Sequence, residues 1–496
     1  FTHKGQVEDY VITRTGSGSG GNSDEMSAFG FVQGSFTPSY DTADLSGTKI
    51  TFSCVAPAGS TVTVKIGAYT VSLTTSTKDP GDRYRKATYK GTFTLPQIDG
   101  GGNASLGYVV FHAERNGESA THSPGSLIEV INDPSVYAME VKNDKVDLRP
   151  SLDSSVKPTS YYIATAGSKV NVISKADGWV KLTNGMYLSV NDVEPLKSSF
   201  GLAEVRSVSL GVLTKHTVLS FKMTESVFHT VWMNPNQVEI VLYNVTGEVP
   251  SFSLGNNPLF SSVQIDRLDD TTVSIKLTYK AEKHIYGYTC NFDGNTLYIN
   301  FRNPAVLSSV ADKPLTGIVI SIDPGHSNDS GAVRYYNGVL IQETDLTLKL
   351  SKLVAEKLRN LGATVVLSHE GERVYDLDEI ITQLRSLSPD INVSIHFNTV
   401  ENDSQSVSGT ETYWCYGNSQ LLSDVMLKSF TDAMSFTARK SACDYYKVSR
   451  FCEFPSILFE TAYMSNVKDL AWFLDDSNMD TAAGAIANGI LDYFKE

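Results

Sequence analysis

Three short runs of apolar, often β-branched residues in the C-terminal part of the chain each lead to a polar side chain, two of them directly and the first through Asp323-Pro324-Gly325. Runs of this length bounded by turn residues are typical of buried strands. The polar side chains that follow them are His326, His396 and Glu460. The runs are residues 318–322, 391–395 and 455–459. If the strands lie parallel, two imidazoles and a carboxylate converge on the edge of a sheet where α/β proteins keep their ligands.

The pattern around these runs alternates strands with helices, which is the signature of a parallel sheet. Leucines and valines recur at helical spacing after Glu343 and stop at Gly362, which predicts one long helix. Residues 364–367 are the next strand-like run, and an apolar stripe within residues 479–493 predicts a closing helix. We therefore expect an α/β domain with a mostly parallel sheet over residues 314–496.

Most of the chain before residue 305 alternates apolar and polar residues in short runs separated by Gly, Asp and Pro. This pattern predicts strands with one buried and one solvated face. We divide it into three all-β modules over residues 24–135, 136–197 and 198–305. The expected fold class is multidomain, with a β-sandwich, a small barrel and a second sandwich ahead of the α/β domain.

Residues 1–23 have a different composition. Residues 16–21 read Gly-Ser-Gly-Ser-Gly-Gly, which is typical of a flexible linker, and residues 6–15 before them are strand-like. Two interpretations stay open: a tethered peptide that adds a strand to a sheet edge, or a disordered N-terminus. The opening residues are polar and lack a signal peptide, which fits a mature or truncated product as well as a cytoplasmic one.

Composition narrows the classes of function. The chain has 496 residues, of which 41% are hydrophobic and 19% charged, with a formal net charge of -14. These values are typical of a globular protein and argue against a nucleic-acid partner, which selects basic surfaces. No run of eighteen apolar residues occurs, so no transmembrane segment is expected. The five cysteines contain no Cys-x-x-Cys pair; Cys443 and Cys452 could bridge, but free buried thiols fit at least as well.

The polar residues at the predicted sheet edge indicate metal chemistry. A hydrolytic zinc site takes three protein ligands and keeps one position for water. His326 and His396 supply two ligands, and a nearby acid must supply the third. Glu343 follows a turn at Asn337-Gly338 and precedes the long helix, from where its carboxylate can reach the strand edge. Taken singly, each of these residues would be read as an ordinary surface or core side chain.

Four motifs in the C-terminal domain resemble those of the zinc-dependent N-acetylmuramoyl-L-alanine amidases and occur in the same order. They read Asp323-Pro324-Gly325-His326, Gln342-Glu343, Ser394-Ile395-His396-Phe397-Asn398 and Phe459-Glu460-Thr461-Ala462-Tyr463-Met464-Ser465-Asn466. Two upstream modules also resemble known domains. Residues 136–197 are similar to bacterial Src-homology-3-like domains through Asp-Leu-Arg at 147–149 and Gly-Trp-Val-Lys-Leu at 178–182. Residues 198–305 are similar in length, pattern and position to the amidase N-terminal (AMIN) sandwich.

The resemblance implies a function and a role for each motif residue. His326, Glu343 and His396 would bind zinc, and Glu460 would be the catalytic carboxylate. The reaction would be hydrolysis of the amide between the lactyl group of muramic acid and L-alanine in peptidoglycan. We accordingly expect a secreted protein of the bacterial cell wall. Its β modules would be binding modules or spacers, and a possible protein partner would activate or localise it.

Two departures from the family pattern concern the shape of the substrate groove and the preferred substrate rather than the reaction. Residues 327–332 read Ser-Asn-Asp-Ser-Gly-Ala where the family usually has two glycines and one more residue, and Ser368-His369 replaces a common Thr-Arg. His369 is expected to be structural, and packing is the favoured role of Asn398. Cys415 lacks an obvious base, which argues against a cysteine nucleophile. The alternatives are a zinc carboxypeptidase acting on stem peptides and a silent wall-binding scaffold.

Overall fold

The computed structural model describes most of the chain in two compact units. One unit consists of residues 24–152 and 163–202, and the other of Tyr162 and Ala203–Glu496. The predictions for residues 1–23 lie outside the described residues. The described residues are 24–79, 81, 84–99, 103–134, 137–152, 162–196, 200–234, 236–280, 286–371, 374–400 and 406–496.

The N-terminal described part is built from strands, as its alternating pattern predicts. Strand β2 shows why, because every second side chain from Ile50 to Ala56 is buried while its neighbours face outward. The strands are β1 (Thr42–Leu45), β2 (Lys49–Pro57), β3 (Thr61–Ile66), β4 (Tyr69–Leu73), β5 (Lys86–Thr94), β6 (Ala104–Arg115), β7 (Glu118–His122), β8 (Leu127–Ile131), β9 (Ala138–Val141), β10 (Val146–Leu148), β11 (Tyr162–Ala164), β12 (Lys169–Ala176), β13 (Trp179–Leu182), β14 (Tyr187–Ser189) and β15 (Val193–Pro195).

One sheet runs through both of the first two sequence modules. Its main path among the described strands is β14-β13-β12-β1-β8-β6-β3-β4. The joint lies at β1, which pairs parallel with β8 and antiparallel with β12 through Ala43 and Lys175. In the second module the guanidinium of Arg149 lies 4.5 Å from the ring centroid of Trp179, so the two residues that carry its resemblance contact each other.

The second unit begins with two antiparallel sheets. In β19 the side chains of Val238, Ile240 and Leu242 are fully buried and alternate with partly exposed ones, as the sequence predicts. The sheet orders are β20-β16-β17-β24-β23 and β18-β19-β22-β21. The strands are β16 (Ala203–Val212), β17 (His216–Met223), β18 (His229–Met233), β19 (Gln237–Tyr243), β20 (Val245–Thr246), β21 (Phe260–Asp269), β22 (Thr272–Tyr279), β23 (Tyr288–Asp293) and β24 (Thr296–Arg302).

The rest of this unit alternates strands and helices. The strands are β25 (Val319–Pro324), β26 (Val333–Tyr336), β27 (Val339–Gln342), β28 (Thr364–Leu367), β29 (Ile391–Asn398), β30 (Thr410–Trp414), β31 (Ala438–Cys443) and β32 (Ser456–Tyr463). The helices are α1 (Glu343–Asn360), α2 (Leu377–Leu387), α3 (Gln420–Met434), α4 (Val467–Phe473) and α5 (Asp476–Tyr493). None of these helices, nor any other in the described part of the chain, is long and apolar enough to cross a membrane.

Six of the described strands form the sheet that carries the candidate site, in the order β28-β25-β29-β32-β30-β31. The pairings among β28, β25, β29 and β32 are parallel. Strand β30 runs antiparallel to β32, and β31 runs parallel to β30. Helix α1 packs its buried leucines on this sheet, and α5 closes the same core as the sequence predicts.

Residues 286–302 pack directly against the α/β part. Arg302 Nη2 donates to Asp390 Oδ1 at 2.8 Å and to the carbonyl of Ser388 at 3.1 Å, and the Asp390 side chain also accepts the Val319 amide. The amide of Tyr288 donates to the Cys452 carbonyl at 2.7 Å. A Cβ at Gly287 would lie 2.5 Å from Glu453 backbone atoms, so only glycine allows this approach.

We expect Arg302→Met to lower the free energy of unfolding by about 3 kcal/mol, because it leaves the Asp390 carboxylate buried without its cation. That carboxylate side chain is 15% exposed and that of Arg302 10%, so the loss belongs at the lower end of the range for buried pairs. Urea unfolding of the full chain measures it. Lys428→Gln, which breaks an exposed pair with Asp432, should change stability by less than about 1 kcal/mol. Equal losses in the two variants would contradict the buried role of Arg302.

Candidate metal centre

Three of the side chains named from the sequence meet at one point. His326, Glu343 and His396 each offer one ligand atom, and these atoms all lie within 4.8 Å of one another. Glu343 Oε1 is 3.1 Å from His326 Nε2 and also 3.1 Å from His396 Nδ1. The two imidazole rings lie edge to face with centroids 4.8 Å apart. Two nitrogens and a carboxylate oxygen therefore converge, and this donor set is one that holds a divalent metal ion.

Glu343 is held in place from both sides. It is the first residue of α1 and is only 4% exposed. Its Oε1 accepts the amide of Phe397 at 3.1 Å, and its Oε2 accepts the amide of Ala332 at 2.8 Å. Burial alone would raise the pKa of this carboxyl, but hydrogen bonds from His326 and His396 lower it well below its usual range. Glu343 is therefore an anion with a fixed orientation.

His326 lies in a strained loop between β25 and β26. Its φ is 68°, a left-handed value that few non-glycine residues adopt. Two threonines of α1 hold the loop, because Thr344 donates to the His326 carbonyl at 2.7 Å and Thr347 to the Gly325 carbonyl at 2.8 Å. Asp329 Oδ1 lies 2.7 Å from His326 Nδ1. A carboxylate on the second nitrogen of a ligand histidine fixes the orientation of its ring.

The pKa values of both histidines are raised in this structure. Burial lowers the pKa of His326, but the hydrogen bond to Glu343 and the charges of Glu343 and Asp329 outweigh it and raise the pKa to about 9. Burial also lowers the pKa of His396, while Glu343 and the charge of Glu460 raise it above its ordinary value. The carboxylates of Glu343, Asp329 and Glu460 thus favour a cation at the two imidazoles, either a proton or a metal ion.

Glu460 lies next to this cluster on the neighbouring strand. Strands β29 and β32 pair in parallel with His396 opposite Glu460, so the two side chains share a face of the sheet. Within the described part of the chain, Glu460 Oε2 is buried and has no hydrogen-bond partner. Burial raises the pKa of Glu460 to about 7, against the charges of His396 and His326. A carboxyl with these properties can both accept and donate a proton near neutral pH.

A second buried acid, Glu411, lies opposite Glu460 on β30. Its oxygens accept hydrogen bonds from the hydroxyls of Tyr413 at 2.5 Å and Tyr463 at 2.8 Å. Arg439 Nε donates to the same carboxylate at 2.8 Å. Burial alone would raise the pKa of Glu411, but these three hydrogen bonds lower it.

Asp323 links neighbouring segments of the sheet close to the cluster of His326, Glu343 and His396. It is 2% exposed, and its two oxygens accept hydroxyl hydrogen bonds from Ser368 and from Ser394, the latter at 2.6 Å. Ser368 follows β28 and Ser394 lies in β29, so the carboxylate of Asp323 links β25 to both neighbouring segments. Ser368 keeps a hydroxyl at the position where the sequence departs from the family pattern.

The other sequence predictions have clear outcomes. His369 is buried with Nε2 2.9 Å from the Pro324 carbonyl, which supports its structural role. Asn398 donates to Glu411 at 3.3 Å rather than to the metal cluster. Cys443 is a free thiol, so the Cys443–Cys452 bridge is not formed. His396 and Glu460 lie inside β29 and β32 rather than beyond their ends, because β29 runs three residues past its apolar run and β32 runs four residues past its own.

The sequence analysis assigned no role to four supporting residues: Asp323, Asp329, Thr344 and Thr347. Asp329 was visible only as part of a loop that departs from the family pattern. An acid three residues after a candidate ligand histidine is a usable signal, because a short loop can return it to the ring. The threonines gave no signal, since their partners are backbone carbonyls that no sequence pattern marks.

We expect Gly325→Ala to abolish stoichiometric metal binding. A Cβ there would lie 2.5 to 2.7 Å from atoms of the His396 ring, so the ring must leave its position. Metal content by atomic emission spectroscopy, together with circular dichroism, measures the effect. Gly484→Ala is the matched control, because its Cβ meets nothing within 4 Å and α5 should gain up to about 1 kcal/mol. Full metal content in the Gly325 variant would refute this packing constraint.

We expect the stabilising contribution of Glu411 to depend on pH. Its folded pKa lies below the ordinary value of 4.5, so the ionised group stabilises the fold above about pH 4.5 and loses this contribution as the pH falls through the folded pKa. Urea unfolding of the wild type and Glu411→Gln from pH 7 to pH 3 tests this. The stability difference between the two should be largest at pH 7 and shrink below pH 4.5. A difference that stays constant would show that the charge contributes nothing.

Comparison with known proteins now adds to this geometry. A family model described as N-acetylmuramoyl-L-alanine amidase matches residues 320–492. The chain is 34% identical over 202 residues to N-acetylmuramoyl-L-alanine amidase LytC of Bacillus subtilis, covering 39% of this chain and 40% of LytC. It is 31% identical over 192 residues to the uncharacterized protein YqiI of the same organism, covering 38% of this chain and 89% of YqiI.

Among solved structures, amidase AmiC2 of Nostoc punctiforme is 31% identical and aligns with a TM-score of 0.34, covering 36% of this chain and 99% of that one. The chain spans less than half of the length of LytC, so the match concerns the C-terminal domain. The resemblance seen in the four motifs is confirmed over that domain. Through residues 320–492, this chain belongs to the N-acetylmuramoyl-L-alanine amidase family.

Proposed function

We propose that the protein is a zinc-dependent peptidoglycan hydrolase. It would cut the amide between the lactyl group of muramic acid and the L-alanine that begins the stem peptide. The observation that carries this proposal is the cluster of His326, Glu343 and His396 with Glu460 beside it, whose buried Oε2 has no hydrogen-bond partner among the described residues. Family membership supports the substrate class, since LytC carries the same activity in its name.

The three clustered residues fit a zinc ion. Zinc binds histidine nitrogens and carboxylate oxygens at about 2.0 to 2.2 Å in tetrahedral sites, which separates neighbouring ligand atoms by roughly 3.4 Å. The two contacts of Glu343 Oε1 with the histidine nitrogens, each 3.1 Å, are close to that separation. Three protein ligands are also the number found in hydrolytic sites, which leave one position for water or substrate.

The chain's own residues account for the proton transfers. A bound zinc ion would supply a water of lowered pKa and a polarised carbonyl. Glu460 takes the proton of the attacking water on its carboxylate and gives it to the nitrogen of the departing L-alanine. Its pKa of about 7 suits both directions of transfer. Asp329 holds the His326 ring, and the amides of Ala332 and Phe397 hold Glu343, so the site needs little rearrangement during the reaction.

We further propose roles for the upstream modules. Residues 24–135 form a sandwich, residues 136–197 a bacterial Src-homology-3-like barrel and residues 198–305 an AMIN-like sandwich, and these modules localise or restrain the catalytic domain over residues 314–496. The protein acts outside the cell, at the wall, with peptidoglycan as its partner and a possible activating protein. A relative from Staphylococcus epidermidis that is named "Probable cell wall amidase LytH" and is 27% identical over 197 residues supports this location.

We expect Glu460→Gln to lower kcat by about 10² to 10⁴ while zinc content stays unchanged, because the amide cannot transfer the proton. Mass spectrometry of peptidoglycan digests measures the products, which should be peptides that begin with L-alanine. Chelation of the metal should abolish them, and added zinc should restore them. Glu356→Gln is the matched control, since Glu356 is exposed on the same domain.

The same digests separate the alternatives. Release of a C-terminal amino acid with the lactyl amide intact would indicate a carboxypeptidase. Stoichiometric zinc with no bond cut would indicate a wall-binding scaffold.

A further inference from the structure

We propose that Arg439 and Lys440 form a cationic subsite that binds a carboxylate of the stem peptide and so sets substrate specificity. This inference rests on the proposed function, because it concerns the leaving part of the same substrate. The two cations belong to β31, two strands away from Glu460.

Strand register places Lys440 in line with the catalytic residues. His396 pairs with Glu460, Glu460 with Glu411, and Glu411 with Lys440, across four neighbouring strands. Residues paired across neighbouring strands point to the same face of a sheet. Lys440 therefore lies in one row with the metal-binding cluster and the proton-transferring carboxylate, and Arg439, at the register shift beside Lys440, joins this row through its contact with Glu411.

The direction of the reaction assigns this side of the row to the peptide. Glu460 protonates the departing nitrogen, so that nitrogen lies against Glu460 and the peptide continues away from the metal. Strands are about 4.8 Å apart, which puts β31 about 10 Å from β32. The second residue of a stem peptide carries its carboxylate roughly two residue lengths, ~7 Å, from the L-alanine nitrogen. Long arginine and lysine side chains span the remaining distance.

The cations are held in position by Glu411 and still face solvent. Arg439 Nε is 2.8 Å from Glu411 Oε1, and Lys440 Nζ is 3.5 Å from Glu411 Oε2. The Glu411 side chain is 4% exposed, whereas those of Arg439 and Lys440 are 35% and 48% exposed. Two cations against one buried anion leave a positive excess at the surface of a chain whose net charge is -14. An anionic ligand balances that excess.

A simpler role for these residues is protection of the sheet edge, because β31 is the last strand of its sheet and charged residues commonly block edge pairing. Edge protection needs only exposed charge. It does not require a buried carboxylate that fixes Arg439 through Nε, nor stacking of Lys440 Nζ 4.8 Å from the Tyr413 ring centroid. The fixed geometry therefore favours ligand recognition.

The test compares two synthetic muramoyl peptides as substrates of the full zinc-loaded chain. They differ only at the second residue, which carries either a free carboxylate or the corresponding primary amide. We expect the wild type to prefer the free acid. Arg439→Gln and Lys440→Gln should each lower the acid-to-amide ratio of kcat/KM by about 10-fold or more, mainly through KM, since hydrogen bonds to charged groups contribute about this factor. Lys440→Arg should keep the preference.

Lys349→Gln is the matched control, because Lys349 is 46% exposed and pairs with Asp476 on the helical side of the domain. It should leave the ratio unchanged. If the wild type cuts both peptides but the variants keep the wild-type ratio, or lose both activities equally, the subsite proposal is wrong and the proposed function stands. If the wild type cuts neither peptide, the proposed function fails and this inference fails with it.

Discussion

The carboxylate of Glu343 is the constraint on which the rest of the site depends. Each of its oxygens is assigned, one to the two imidazoles and the Phe397 amide and the other to the Ala332 amide. Burying that charge is tolerable only because both oxygens meet donors. The start of α1, the loop after β25 and the end of β29 must consequently keep their relative positions, or the anion is left without compensation.

The same principle extends along the sheet edge. Asp323 and Glu411 are also buried acids, and each is satisfied by hydroxyls from neighbouring segments. Glu460 differs, because its Oε2 has no partner in the described residues and its pKa is raised. Among these acids, Asp323 and Glu411 have hydrogen-bond donors for their carboxylates, whereas one oxygen of Glu460 has none among the described residues. Unsatisfied polar groups of this kind concentrate where chemistry occurs.

Sequence patterns were sufficient for the local elements but not for their long-range pairing. The buried strands before His326, His396 and Glu460 follow from their apolar runs, and so does helix α1. The shared sheet of the first two modules could not be predicted, because β1 joins β12 across more than a hundred residues and pairing register has no local signal. The support given by Asp329 and Thr344 was equally invisible, since it depends on how one loop folds back onto one helix.

The contact between residues 286–302 and the hydrolase domain has a consequence for how such proteins can be recombined. The ring of Tyr286 stacks on Phe494 and packs at a tilt against Tyr493, so the C-terminal end of the closing helix α5 has part of its apolar covering from a residue that precedes the α/β part. An α/β part exchanged without residues 286–302 would lose that covering together with Arg302, the partner of Asp390. Evolution by module shuffling therefore transfers residues 203–496 together, or changes the C-terminal end of α5 so that it is stable without residues 286–302.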